Sequence, residues 1–383
     1  MRESQHMKKF SLVILLPLLL LNCGSTGIAV VPDTTTVSLP QPVAGSTAKN
    51  VILMIGDGMG LTQITAGIYD NNNYMNFERF PVTGLMKTHS YDNLVTDSAA
   101  GGTAMASGVK TYNNGVGVDK DGVPVKSILE EAEEANKMTG IVVTSSVVNA
   151  TPATFMAHQR LRAFSEPIAE EIANSGVDFL VGGGKRYFDR RDTDDRNLYQ
   201  EMIEKGYQVT DFIKDQKLSN IKFKEGKKFV YFTADDVPLS RIAGRNYLPT
   251  ASEIGANFLK ERSENGFFMM IEGSQIDLGG HATNTKYVLS ELKDFDKAIK
   301  KILDFAEKDG ETLVIVTADH ETGGLTIKEG SKMNKLKTDF SYGRHTAAIV
   351  PVFAYGPGAE NFSGIFDNTQ LYKKMKMVMK LGE

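Results

Sequence analysis

Several apolar runs in this chain end in acids, imidazoles and glycines. The run 51–55 leads into Asp57 between Gly56 and Gly58, and 267–271 leads into Glu272 and Asp277, with His281 four residues on. The run 312–316 leads into Asp319 and His320. Carboxylates brought to one place repel each other and are costly to bury unless a cation neutralises them. Imidazoles beside them suit Zn²⁺, which takes His nitrogen and carboxylate oxygen and keeps a position open in catalytic sites. Of the six histidines, His6 lies in the amino-terminal segment; three of the other five, His281, His320 and His345, sit in acid- or glycine-flanked segments beside predicted strands. One such histidine would read as an ordinary core or surface residue. Three with their acids read as metal ligands. His89 and His158 read as structural.

A nucleophile is offered by Ser98, which follows Thr96 and Asp97 and precedes a run of small residues and a helical stretch. A serine in that setting also reads as a plain helix cap. The functional alternative needs an activated hydroxyl: a helix amino terminus favours negative charge, and metal coordination can hold an alkoxide near neutral pH.

The elements that must position these residues follow from periodicity. Apolar strands are predicted at 51–55, 140–144, 177–181, 267–271 and 312–316, with helices at 126–137 and 166–174. A long amphipathic helix carries Val288, Leu292, Phe295, Ile299, Leu303 and Ala306 at spacings of three and four, and 369–380 reads as a basic surface helix. Buried strands alternating with helices predict an α/β fold: one domain with a largely parallel central sheet and helices on both faces. Such sheets bind ligands at the carboxyl ends of their strands, where the acids fall.

The 383 residues are 41% hydrophobic with a formal net charge of −4 and no Trp. That composition lacks the basic excess of a nucleic-acid binder. Residues 1–23 read as a signal peptide. Arg2, Lys8 and Lys9 precede an apolar run at 10–21, about a dozen residues and too short for a bilayer core of ~30 Å. The run ends at Cys23, the only cysteine, in a setting that resembles a bacterial lipoprotein cleavage box, so Cys23 is a candidate for lipidation and a membrane tether. The expected location is the periplasm or outer cell envelope. Residues 24–49 read as a flexible tether and 50–383 as the folded body.

Taken in order, Gly56 to Gly60, Thr96 to Ala100, Ala150 to Ala153, Glu272 to His281, Thr317 to His320, Gly343 to Thr346 and Val352 to Gly358 resemble the alkaline phosphatase family. The resemblance spans about residues 49–380. It implies hydrolysis of phosphate monoesters through a phosphoserine on Ser98. It also implies two zinc ions, one on Asp277, His281 and His345 and a second on Asp57, Asp319 and His320 that also contacts Ser98. A magnesium site would be completed by Asp57, Thr151 and Glu272. The family's phosphate-clamping arginine falls eleven residues after that threonine, at Arg162, with Arg160 two residues away.

The chain departs from the family at three places. Asn149 stands where relatives have Asp or His, Leu278 follows Asp277 where relatives often carry Lys or His, and the segment 326–344 is short, which leaves the family's homodimer open. Two other readings compete. One is a phosphodiesterase or sulfatase on the same scaffold, and the other a non-enzymatic zinc-binding lipoprotein.

Overall fold

The computed structural model describes residues 47–382 apart from Gln216. The predicted signal segment, Cys23 and residues 24–46 of the predicted tether lie outside the described residues. Among the described residues Ala48 and Lys49 already pack on the body: Ala48 is buried, its N–H donates to Val378 O at 3.1 Å, and Lys49 N–H donates to Glu311 O at 3.1 Å.

Ten strands form the central sheet. In spatial order they are Gly364–Asp367, Val82–Lys87, Val350–Tyr355, Thr312–Thr317, Asn50–Gly56, Phe267–Gly273, Met138–Ser146, Phe179–Gly183, Phe229–Phe232 and Gln208–Asp211. Val350–Tyr355 runs antiparallel to both of its neighbours, and the remaining adjacent pairs are parallel. The largely parallel α/β domain expected from the sequence is therefore present. The central strands Asn50–Gly56, Phe267–Gly273 and Thr312–Thr317 are buried at every position. Covered on both faces, they need apolar side chains in continuous runs instead of alternation. Each fully buried Leu, Ile or Phe there contributes about 1.5–3 kcal/mol relative to exposure.

Register decides where the acids arrive. Ile55 is level with Glu272 on one side and with Thr317 on the other. The three strands therefore end at the same height, and Asp57, Glu272 and Asp319 emerge on one edge.

The long helix is Thr285–Asp309. Asn284 caps it by accepting from Tyr287 N–H, and Gly310 ends it in the left-handed conformation. All six residues of its predicted apolar stripe are buried. The helix Asn368–Met379 is less exposed than its lysines suggest, because Leu371, Met375, Val378 and Met379 are buried and it packs on the helix Ser98–Ser107. The sequence reading weighed its basic face and missed this apolar one. Among the described residues, no helix is long and apolar enough to cross a membrane.

Candidate metal and phosphate site

Asp57 follows the last residue of its strand, and Gly58 turns the chain with φ +72. That turn brings Gly58 N–H within 3.2 Å of Asp319 Oδ1. A Cβ at Gly58 would sit 2.8 Å from Asp277 Cα, so the close approach requires glycine. Asp277 and His281 lie one turn apart on the short helix Gln275–His281, which puts them on one face. Asp319 and His320 follow the strand Thr312–Thr317. His345 comes back to them through a two-residue ladder in which it pairs with Thr322.

The distances join these residues into one cluster. His281 Nε2 lies 3.1 Å from His345 Nε2 and 3.2 Å from Asp277 Oδ2. His345 Nε2 is 3.5 Å from Asp277 Oδ1. His320 Nε2 is 3.1 Å from Asp319 Oδ2 and 3.5 Å from Asp57 Oδ1. Two sets of ligand atoms each fall within 4.8 Å of one another: Asp277, His320 and His345, and Asp57, Asp319 and His320. The first set differs from the grouping the resemblance implies by taking His320 in place of His281. His320 is fully buried and shared by both sets, while His281 stands beside the first through Asp277 and His345.

Backbone carbonyls orient the imidazoles. Thr96 O lies 2.9 Å from His345 Nδ1, and Gly343 O lies 3.0 Å from His281 Nδ1. Each Nδ1–H is thereby engaged and each Nε2 lone pair is turned toward the cluster, as in metal-ligating histidines. Thr322 donates its hydroxyl to Asp277 Oδ1 at 2.5 Å and lies 3.2 Å from His320 Nδ1. The residues present fit divalent cations. Among the described residues, Asp57 Oδ1 and Asp319 Oδ2 are buried with the His320 imidazole as their one near neighbour and no further hydrogen bond, a cost that a cation reduces.

The electrostatics agree. Burial, and then the charges of Asp319, Asp277 and Glu272, push the Asp57 carboxyl well above its ordinary value. Burial pushes Glu272 up to about 7. Asp277 and Asp319 are held below the usual range: burial opposes this, but the neighbouring imidazoles prevail. Hydrogen bonding to Asp277 raises His281 to about 9. Asp57 and Glu272 are thus pushed toward the neutral form while His281 and His320 are pushed toward the charged one, as an excess of negative charge requires.

Ser98 begins the helix Ser98–Ser107, but it is Asp97 that caps it, accepting from Ala100 N–H at 3.0 Å. The capping role weighed for Ser98 thus falls to its neighbour, and the hydroxyl is free to face the cluster, with Oγ 3.3 Å from His320 Nε2. Arg162 donates from Nη1 to Asp97 Oδ2 at 3.1 Å and from Nη2 to Asn149 Oδ1 at 3.2 Å, so its fork is fixed beside Ser98. Arg160 takes another direction, packing by Gly122. Thr151 is buried on Ala150–Ala153 near Glu272, whose carboxylate accepts from Ser274 Oγ at 2.6 Å. His158 is bound to Glu130 and Gly117, away from the cluster, consistent with a structural role.

The structure thus brings Asp57, Ser98, Asp277, His281, Asp319, His320 and His345 into one cluster, with Arg162 held at Asp97 next to Ser98. Sequence reasoning gave no role to Asp97 or Thr322. Asp97 lies inside a quoted motif and Thr322 two residues beyond another, but contacts across tens of residues leave no local signal.

Residues 48–341 match the family model for alkaline phosphatase. The chain belongs to the alkaline phosphatase family. It is 34% identical to alkaline phosphatase 4 of Bacillus subtilis, covering 88% of this chain and 89% of that protein. With the alkaline phosphatase of Escherichia coli the identity is 32%, over 90% of this chain and 89% of the other. The solved structure of alkaline phosphatase from the Antarctic bacterium TAB5 superposes with a TM-score of 0.82 at 41% identity, covering 88% of this chain and 99% of that one. The chain is accordingly a phosphatase that hydrolyses phosphate monoesters, and the clustered acids and imidazoles are candidate metal ligands.

Proposed function

We propose that Ser98 is the nucleophile of a metal-dependent monoesterase, and that Arg162 clamps the transferring phosphoryl group. The reading is carried by Ser98 Oγ lying 3.3 Å from His320 Nε2, the same nitrogen that meets the buried oxygens of Asp57 and Asp319. Asp277, His281 and His345 would hold one zinc ion, Asp57, Asp319 and His320 a second, and Asp57, Thr151 and Glu272 a magnesium ion. A relative solved with Mg in its M3 site, a variant of the TAB5 enzyme 42% identical to this chain, supports a third position of that kind. Bound there, the cations supply charge stabilisation at the attacking and leaving oxygens and a water acidic enough to act near neutral pH.

The chain's own groups do the rest. Ser98 gives up its hydroxyl proton to water as Oγ forms a bond to phosphorus and the bond to the leaving alkoxide breaks, and the alkoxide takes that proton back from water and departs as the alcohol. The Arg162 fork pairs with two non-bridging oxygens. Water then attacks the phosphoserine in line, returning Ser98 and releasing inorganic phosphate. The sequence upstream of the folded body supports export, with Cys23 as the lipid-bearing anchor in the periplasm or outer envelope.

Turnover of a monoester and a diester with the same leaving group tests the reading. The monoester is expected to be favoured by several orders of magnitude, and a diester preference would transfer the chain to phosphodiester chemistry.

Leu278, 41% exposed on the helix that carries Asp277 and His281, offers no polar atom where relatives place a cation. Product phosphate is then held less firmly. Leu278→Lys is expected to lower the inhibition constant of inorganic phosphate by about tenfold and to reduce kcat where release limits turnover. An unchanged inhibition constant excludes this role.

A further inference from the structure

Arg162 sits on a stretch without regular secondary structure, yet its guanidinium must hold a fixed distance from Ser98. That stretch is fastened along one neighbouring segment, residues 112–117. Val116 and Gln159 exchange backbone hydrogen bonds of 2.9 and 2.8 Å, and Arg162 N–H donates to Asn114 O at 2.9 Å. Tyr112 donates its hydroxyl to Arg160 O at 3.1 Å, and His158 Nδ1 meets Gly117 O at 2.7 Å.

The same segment is tied to the helix that carries Ser98. Thr103 Oγ1 donates to Gly115 O at 3.2 Å and accepts from Gly117 N–H at 3.0 Å. Asn113 Oδ1 accepts from Asp97 N–H at 3.1 Å, and Asn113 Nδ2 donates to Val95 O at 3.0 Å. Asn114 N–H donates at 3.1 Å to Asp97 Oδ2, the oxygen that also receives Arg162 Nη1. Asn114 reaches this geometry with φ +77, a conformation that Asn tolerates and a β-branched residue does not.

We propose that Asn113 and Asn114 are positioning residues: they lock Asp97 from the side opposite Ala100 and so set the angle at which Arg162 meets the phosphoryl oxygens. Neither touches the reacting atoms. Their influence passes through Asp97 and Arg162, and the inference rests on the reading of Arg162 as the phosphate clamp. A guanidinium free to swing would still carry its charge but would lose the two-pronged match to phosphate.

A double-mutant cycle on the metal-loaded full chain tests this. It reads the dissociation constant of inorganic phosphate by calorimetry, together with kcat and KM for an aryl phosphate and metal content. Asn113→Ala is expected to weaken phosphate binding by about five- to tenfold, with metal content unchanged. In an Arg162→Ala background, the same change is expected to alter it by less than about twofold, because the group it acts through is gone. Equal losses in both backgrounds would mark Asn113 as a structural staple and overturn the inference. If Arg162→Ala alone left phosphate binding intact, the clamp reading itself would fail, and this inference with it. Should Asn113→Ala not fold, Asn114→Val against Asn114→Gly serves the same cycle. Valine strains the positive φ and is expected to lose the coupling, while glycine retains it; equal behaviour of the two counts against the proposal.

Discussion

Ser98→Ala is expected to lower kcat by about 10³-fold or more while leaving the bound metal unchanged. Ser98 Oγ is the hydroxyl that faces His320, and no oxygen on alanine can replace it. The helix itself should survive, since Asp97 supplies the cap and the residue at 98 is only the first helical position. The cluster of acids and imidazoles is intact in the variant, so metal analysis separates this loss from a collapse of the site. Residual turnover is expected, because Arg162 and the cations still bind and polarise the ester. A protein that only carried zinc would lose nothing on this substitution. Full activity of Ser98→Ala would end the phosphoserine reading.

Chelation carries the second large effect, on activity and on stability together. Asp57, Glu272, Asp277 and Asp319 are all buried and converge at the sheet edge. Without cations only the imidazoles offset their repulsion, so chelation is expected to abolish turnover and to lower the thermal midpoint, with both restored by Zn²⁺ and Mg²⁺.

The pH dependence of the chelated protein has a sign fixed by two groups. Glu272, raised from 4.5 to about 7 by burial, binds its proton more tightly when folded. Its contribution is present at low pH and is lost as pH rises from 4.5 to about 7. His281, raised from 6.5 to about 9 chiefly by its hydrogen bond to Asp277, contributes below 6.5 and loses that contribution as pH rises through about 9. His345 is lowered by burial and by His320, and it opposes these only below 6.5. Between 6.5 and about 9 the metal-free protein is therefore expected to lose stability with rising pH. The metal-loaded protein gains over the same interval, because ligands shed protons in order to bind. Melting curves of both forms across that interval check it; parallel slopes would mean that the acids and imidazoles do not share a metal site.

What the sequence determined by itself was the set of parts. Continuous apolar runs such as 51–55 and 312–316 can only be strands covered on both faces, because an exposed face would demand alternation. Asp57, Asp319 and His320 at their ends were legible as candidate ligands because acids beside imidazoles at strand ends have few other uses. The six-residue stripe from Val288 to Ala306 marked the long helix through a period that solvent and core impose on any amphipathic helix.

Tertiary structure decided everything that depends on register and on contacts between distant segments. The level pairing of Ile55 with Glu272 and Thr317 puts three acids at one height, and no local pattern encodes it. His345 reaches Asp277 only because a two-residue ladder pairs it with Thr322. Arg162 rather than Arg160 reaches Asp97, the residue before Ser98, on a stretch tied to Asn114 and Val116 by backbone hydrogen bonds. The apolar underside of Asn368–Met379 was hidden by its lysines for a related reason: charge reports what a face shows to water, and packing alone reports what it covers.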